Sequence, residues 1–135
     1  MEAISPNGKW LAYESYESGR GEIYVRDFAT GNRKWQLSTE GGTRAVWSPD
    51  GKELLFRSTD SKTGFSLMSV AVSSGEEFTA GPPKPLFRFT CNQAGHDYAL
   101  TPDGLRFLCI KPPENEATAT QVNVVLNWAT ELQKK

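Results

Sequence analysis

The sequence predicts an all-β fold built as three four-stranded antiparallel blades, and three observations carry that prediction. A four-residue turn recurs as Ser5-Pro6-Asn7-Gly8, Ser48-Pro49-Asp50-Gly51 and Thr101-Pro102-Asp103-Gly104. In each copy Pro presets φ at about −65° for the first corner, Asp or Asn bonds the turn's own backbone, and Gly takes the positive φ that closes a hairpin with a bulge. Each turn leads into a strand, over 10–15, 53–58 and 106–111. Within those strands the apolar residues are consecutive: Leu11-Ala12-Tyr13, Leu54-Leu55-Phe56 and Phe107-Leu108-Cys109. Alternate residues of a strand face opposite sides of its sheet, so these sheets are covered on both sides, as a blade between two neighbouring blades would be. A hairpin recurring at this period marks a blade array, a propeller segment.

Taken in order, the elements repeat one plan. Blade one, about residues 1–40, has a strand at 10–15, a polar loop at 16–21, a strand at 23–28 and an outer strand at 34–37. Blade two, about 43–89, opens with an inner strand at 43–47. It continues through 53–58 and 65–72, then a long connection at 76–83, and ends in an outer strand at 84–88. Pro85 marks that last strand as an edge, because proline cannot donate to a ladder. Blade three, about 95–127, has strands at 96–100, 106–111 and 120–126 and lacks a fourth. A tail at 128–135 pairs Trp128 with Leu132 at helical spacing, which predicts a short C-terminal helix. The whole chain reads as a single propeller segment. The charges Glu17 and Arg20, and Asp60 and Lys62, read as solvated loop tips.

The totals exclude several functions. With 15 basic and 16 acidic residues the net charge is −1, and no Lys/Arg cluster favours nucleic acid or an anionic membrane. No apolar run is long enough to span a bilayer, and Met1-Glu2-Ala3-Ile4 does not read as a signal peptide. The chemistry-bearing inventory is thin: one histidine, His96, and two cysteines, Cys91 and Cys109. No Gly-x-Ser-x-Gly elbow, Walker loop, kinase loop or metal-ligand spacing occurs, so the expectation is no catalysis, no metal and no cofactor. His96 beside Asp97 lacks a nucleophile to serve and reads as a polar strand start. Cys109 occupies an apolar strand position, which favours a buried free thiol over a Cys91–Cys109 bridge.

Two stretches carry a resemblance. The Ser-Pro-Asp-Gly-Lys turn with its apolar strand, followed by Glu22-Ile23-Tyr24-Val25-Arg26-Asp27, resembles TolB-like β-propellers built on the Pro-Asp-Gly repeat. The later segments Gly81-Pro82-Pro83-Lys84-Pro85-Leu86-Phe87, Tyr98–Gly104 and Gln121–Trp128 are similar to the last blades of the propeller that follows the kinase domain in bacterial transmembrane serine/threonine kinases and related sensors. The resemblance implies a six-bladed ring, of which three blades are half, an extracytoplasmic location, and a scaffold with a variable binding top. Asn7 departs from the family's Asp in the first turn.

Three blades cannot close a ring. The economical completion is a homodimer, with blade three of each copy meeting blade one of the other. The competing reading is a fragment whose missing blades lie outside the chain. Aligning the second and third turns places Thr43 with His96 and Arg44 with Asp97 at the start of the innermost strands, so Arg44, His96 and Asp97 are the candidate ligand-binding residues at the channel mouth. Tyr16, Trp35 and Trp128 are candidate exposed aromatics for a protein or peptide partner, whereas Trp10 and Trp47 are expected between blades. The functional reading is a non-enzymatic binding or protein-interaction segment of a bacterial sensor type. The alternatives are a detached non-catalytic piece of a peptidase-type propeller and a structural remnant without ligand.

Overall fold

The three turns share one hydrogen-bond network, and the blades grow from it. In the second turn Ser48 Oγ donates to Asp50 Oδ1 (2.6 Å), while Asp50 Oδ1 accepts from Lys52 N (3.0 Å) and Ser48 Oγ accepts from Glu53 N (2.9 Å). Gly51 N donates to Ser48 O at 2.9 Å, with Gly51 at φ 69. The first turn repeats this with Ser5, Asn7, Lys9 and Trp10, and the third with Thr101, Asp103, Leu105 and Arg106. The hydroxyl at the first position thus bonds the residue that begins the next strand, so turn and strand form as one unit.

The computed structural model describes residues 2–59, 65–90 and 98–110, together with the backbone of 122–126. The strands are β1 (Glu2–Ile4), β2 (Trp10–Ser15), β3 (Glu22–Asp27), β4 (Lys34–Gln36), β5 (Gly42–Trp47), β6 (Glu53–Ser58), β7 (Phe65–Ser74), β8 (Phe78–Ala80), β9 (Lys84–Phe89), β10 (Tyr98–Leu100), β11 (Arg106–Ile110) and β12 (Val122–Leu126). They form three antiparallel sheets: β1-β2-β3-β4, then β5-β6-β7 extended by both β8 and β9, then β10-β11-β12. The fold is therefore all-β, as expected, and the described residues contain no helix; the tail expected to be helical lies outside them.

Some details differ from the sequence reading. The stretch at 76–83 is not a plain connection. β7 runs on to Ser74 and pairs there with β8 (Val72↔Ala80, Ser74↔Phe78), while its first half pairs with β9. The buried–exposed alternation Val70-Ala71-Val72-Ser73 continues past the predicted strand end, and Phe78 is the buried anchor that holds the extension. Cys109 is disulfide-bonded and not a free thiol. It is still buried, so its burial alone did not distinguish the two states; Cys91 lies outside the described residues.

Alternation decides the core. On β6, Leu54 and Phe56 face blade one and join Trp10, Ala12, Ile23, Val25, Trp47, Val70 and Phe78. Leu55, between them, faces blade three and joins Leu67, Leu86, Tyr98, Phe107 and Cys109. The middle blade is thus covered on both sides. Trp10 and Trp47 pack between blades as expected, Trp10 lying 5.4 Å and Trp47 6.4 Å from Phe78. Trp35 is not an exposed aromatic: opposite Val25 on the inward side of the sheet, it packs edge-on against Trp10 at 5.5 Å. Tyr16 is 67% exposed, and Trp128 lies outside the described residues.

Hydrogen bonds from Ser48 and Lys52 hold the Asp50 carboxyl below its ordinary range, and those from Thr101 and Leu105 do the same for Asp103. Lowered folded values contribute stability above the unfolded value, about 3.9, and lose it as pH falls through the folded value. Asn7 already shows that an amide fits this turn. The double variant Asp50→Asn, Asp103→Asn should therefore lose less of its urea midpoint between about pH 7 and about pH 3 than the parent does. An equal loss would contradict the turn assignment.

Candidate functional site

The innermost strand of blade two carries an irregularity. Pairing of β5 with β6 shifts register between Thr43 and Val46, and Arg44 sits in that bulge at φ 58, the one positive φ outside glycine among the described residues. Left-handed backbone costs a residue with a Cβ about 1 kcal/mol, and such positions collect at sites with a task. The Arg44 carbonyl accepts from the Tyr98 hydroxyl on blade three's innermost strand, so the bulge is docked across the blade boundary. Beside it, Arg57 is buried, donates to Thr43 Oγ1 at 3.3 Å and holds its guanidinium 3.8 Å from the Phe65 ring centroid. Of the three residues expected at the channel mouth, Arg44 lies on β5. His96 and Asp97 lie outside the described residues. Tyr98, which docks the bulge, was visible in the sequence only as a strand residue.

A second arrangement was not anticipated. Where blade one hands over to blade two, the Glu22 carboxylate is only 1% exposed. Its Oε1 accepts from Arg20 Nε (2.8 Å) and Gly41 N (3.0 Å), and its Oε2 accepts from Ser38 Oγ. Ser38 Oγ in turn accepts from Ile23 N at 2.8 Å, and Arg20 also donates to Thr39 O. Gly42 N donates to Gly21 O at 2.9 Å. Gly41 lies at φ 95, and a Cβ there would collide with Thr59 Oγ1, so the chain can pass here only as glycine. The Glu40-Gly41-Gly42 run and the Pro82-Pro83-Lys84-Pro85 run are the sequence signals that could have marked this crossing. Beside it lies a cavity of about 360 Å³.

Ser38 hydrogen-bonded to a carboxylate has the outline of a nucleophile with its base. However, Ser38 is 2% exposed and the carboxylate is already held by Arg20 and Gly41 N, an arrangement that reads as a structural clamp. Among the described residues no group of three or more His, Cys, Asp or Glu is placed to hold a metal ion.

The class these features define is a β-propeller segment with a strand bulge docked across one blade boundary and a carboxylate clamp at the other. The fold is that of a TolB-like propeller. No protein-family model matches the chain. Two curated proteins, Tol-Pal system protein TolB from Xylella fastidiosa strains M12 and 9a5c, are each 51% identical over 37 residues, which is 27% of this chain and 8% of theirs. TolB from Acinetobacter baumannii superposes with a TM-score of 0.60 at 22% identity, over 93% of this chain and 32% of that one. A protein solved as TolB from Agrobacterium tumefaciens gives 0.59 at 20% identity, over 90% and 42%. One solved as a 6-phosphogluconolactonase from Bacteroides uniformis gives 0.56 at 18%, over 93% and 39%. The chain thus spans well under half the length of each of these proteins.

Two expectations follow. Glu22→Ala would leave Gly41 N and Ser38 Oγ buried without their acceptor and should cost about 2–5 kcal/mol in chemical denaturation; a loss below about 1 kcal/mol would mean the clamp is not structural. Arg44→Gly should be more stable than Arg44→Ala by about 1 kcal/mol, since both lose the side chain but only alanine keeps the Cβ in left-handed backbone. Equal stabilities would contradict the bulge geometry.

Proposed function

We propose that this chain is a non-enzymatic binding and protein-interaction segment of a sensor-type propeller, and that a second copy of the chain completes its ring. The observation that carries this reading is the stacking of the turns. The Pro6 ring lies against Gly51, where an added Cβ would sit 3.6 Å from Pro6 Cδ, and the Pro49 ring lies against Gly104, at 3.3 Å from Cδ by the same measure. Each turn thus seats its proline on the glycine of the next blade's turn. Gly8, first in the series, has nothing within 4 Å of such a Cβ among the described residues, and Pro102, last in the series, is exposed. An open glycine at one end and an exposed proline at the other support one further contact of the same kind.

The sheet faces agree. Ile4 and Phe28 of blade one are 51% and 50% exposed, whereas the matching positions of blade two, Trp47 and Val72, are 7% and 9%. At the other end Ile110 is 50% exposed, and β12 sets Val122 and Val124 opposite Ile110 and Leu108. Apolar faces that are buried within the repeat but open at both of its ends call for a covering blade. A partner copy supplies one by continuing an interface the chain already makes twice. Further blades of a longer polypeptide are the competing occupant.

Light scattering across a dilution series should give a mass twice the 15.0 kDa of one chain, independent of concentration. Ile110→Asp should shift that mass to the monomer while leaving the β signal intact, because Ile110 is already half exposed. A parent chain that stays monomeric at every concentration would overturn ring completion.

A further inference from the structure

Where blade one meets blade two, the first turn carries Asn7-Gly8, the one Asn-Gly pair of the chain, while the other two turns carry aspartate in the same place. In such a pair the side-chain amide is open to the backbone nitrogen of its neighbour, because glycine brings no Cβ to block the approach. Among the described residues nothing lies within 4 Å of where a Cβ of Gly8 would sit, so this side of the turn has room for a ring to form.

The turn acts on this pair in two opposed ways. It activates the amide: Asn7 Oδ1 accepts from Ser5 Oγ at 2.7 Å and from Lys9 N at 3.1 Å. Donors aimed at that oxygen stabilise the negative charge that builds on it when Cγ is attacked. The turn also withholds the nucleophile, since Gly8 N donates to Ser5 O at 2.8 Å and so keeps its proton. The leaving group is held as well, by donation from Asn7 Nδ2 to Ser74 O at the end of β7. Trp10 Nε1 shares that carbonyl at 3.0 Å, and Lys9 Nζ pairs with Glu76 at 2.8 Å beside it. The closed junction thus blocks a reaction for which the amide is otherwise prepared.

We infer that Asn7 is a hydrolytic modification site gated by this junction: the amide persists while blades one and two are closed on each other and converts to a carboxylate when they part. In the first step Gly8 N gives its proton to solvent base and bonds to Asn7 Cγ, the Cγ–Nδ2 bond breaks, and Nδ2 leaves as ammonia. Water then opens the cyclic imide. Opening at Cγ leaves an ordinary aspartate; opening at the backbone carbonyl of residue 7 leaves an isoaspartate, whose main chain runs through Cβ. Water is consumed, ammonia is released, and nothing is oxidised or reduced. Aspartate suits the turn itself, as Asp50 and Asp103 show, so the loss falls on the junction. The donor to Ser74 O is gone and a carboxylate faces that carbonyl. An isoaspartate also lengthens the backbone inside the turn and spoils the spacing of the Gly8–Ser5 bond. Either product makes the opening one-way. The site depends neither on ring completion nor on a ligand.

The test follows the full chain in mildly alkaline buffer, folded and in urea, by mass spectrometry of the tryptic peptide spanning 1–9. Conversion at Asn7 should be slower in the folded chain by about tenfold or more, because it waits on local opening. Equal rates would overturn the gate, and no conversion in urea would overturn the site. The consequence is read separately on Asn7→Asp, by hydrogen exchange at the Trp10 indole N–H. Losing one hydrogen bond beside it should speed that exchange about three- to tenfold and leave the Phe107 amide on β11 unchanged. An unaltered Trp10 rate would mean that the carboxylate leaves the junction closed, and equal acceleration of both groups would mean that the whole chain loosens; either result would overturn the one-way opening.

Discussion

The interaction on which the rest of this structure depends is the bond inside each turn from the first hydroxyl to the side-chain oxygen of the Asp or Asn two residues on. Ser48 Oγ accepts the first N–H of the outgoing strand and donates its own O–H to Asp50, whose oxygen also accepts the backbone N–H of Lys52 just before that strand. A turn saturated in this way has one shape, so it presents a rigid proline ring on one side and a bare glycine on the other. Repeating the turn sets the spacing of the blades, and the apolar strands that follow are carried into contact face to face.

Asn7 shows how finely this device is matched to its neighbours. Its Oδ1 serves the turn as the aspartates do, while its Nδ2 donates to Ser74 O at the end of β7. Trp10 Nε1 donates to the same carbonyl at 3.0 Å. A carboxylate in that place would face the Ser74 oxygen with no proton to share. The change from Asp to Asn therefore belongs to the junction between blades one and two, and it explains the departure from the repeat. The β7–β8 extension closes the same junction by seating Phe78 between Trp10 and Trp35, at 5.4 and 5.0 Å.

Most of the fold was legible because its signals are local. The turn chemistry, the strand following each turn and the consecutive apolar residues all lie within about a dozen residues of one another, and they predicted three sheets covered on both sides, which within this chain holds for the middle one. What was not legible depends on partners distant in sequence. Trp35 reads as exposed until its pairing with Val25 puts it on the inward face. Glu22 looks like a surface carboxylate until Ser38 and Gly41 close over it. The left-handed conformation of Arg44 has no signature, since arginine gives no hint of the bulge that requires it. The disulfide at Cys109 occupies an apolar position that a free thiol fills equally well. At the candidate site the sequence placed Arg44 in the strand before the second turn, where it lies, and gave no sign of its docking by Tyr98.

The central claim is that the turn stack continues from one copy into the next, with Pro102 seated on the partner's Gly8. Chains carrying Pro102→Cys and chains carrying Lys9→Cys, mixed and treated with a short bismaleimide, test it directly. The account predicts a covalent dimer that joins one chain of each kind, formed at a rate independent of dilution. Cross-links only between identical chains, or none while the chain remains folded, would contradict it.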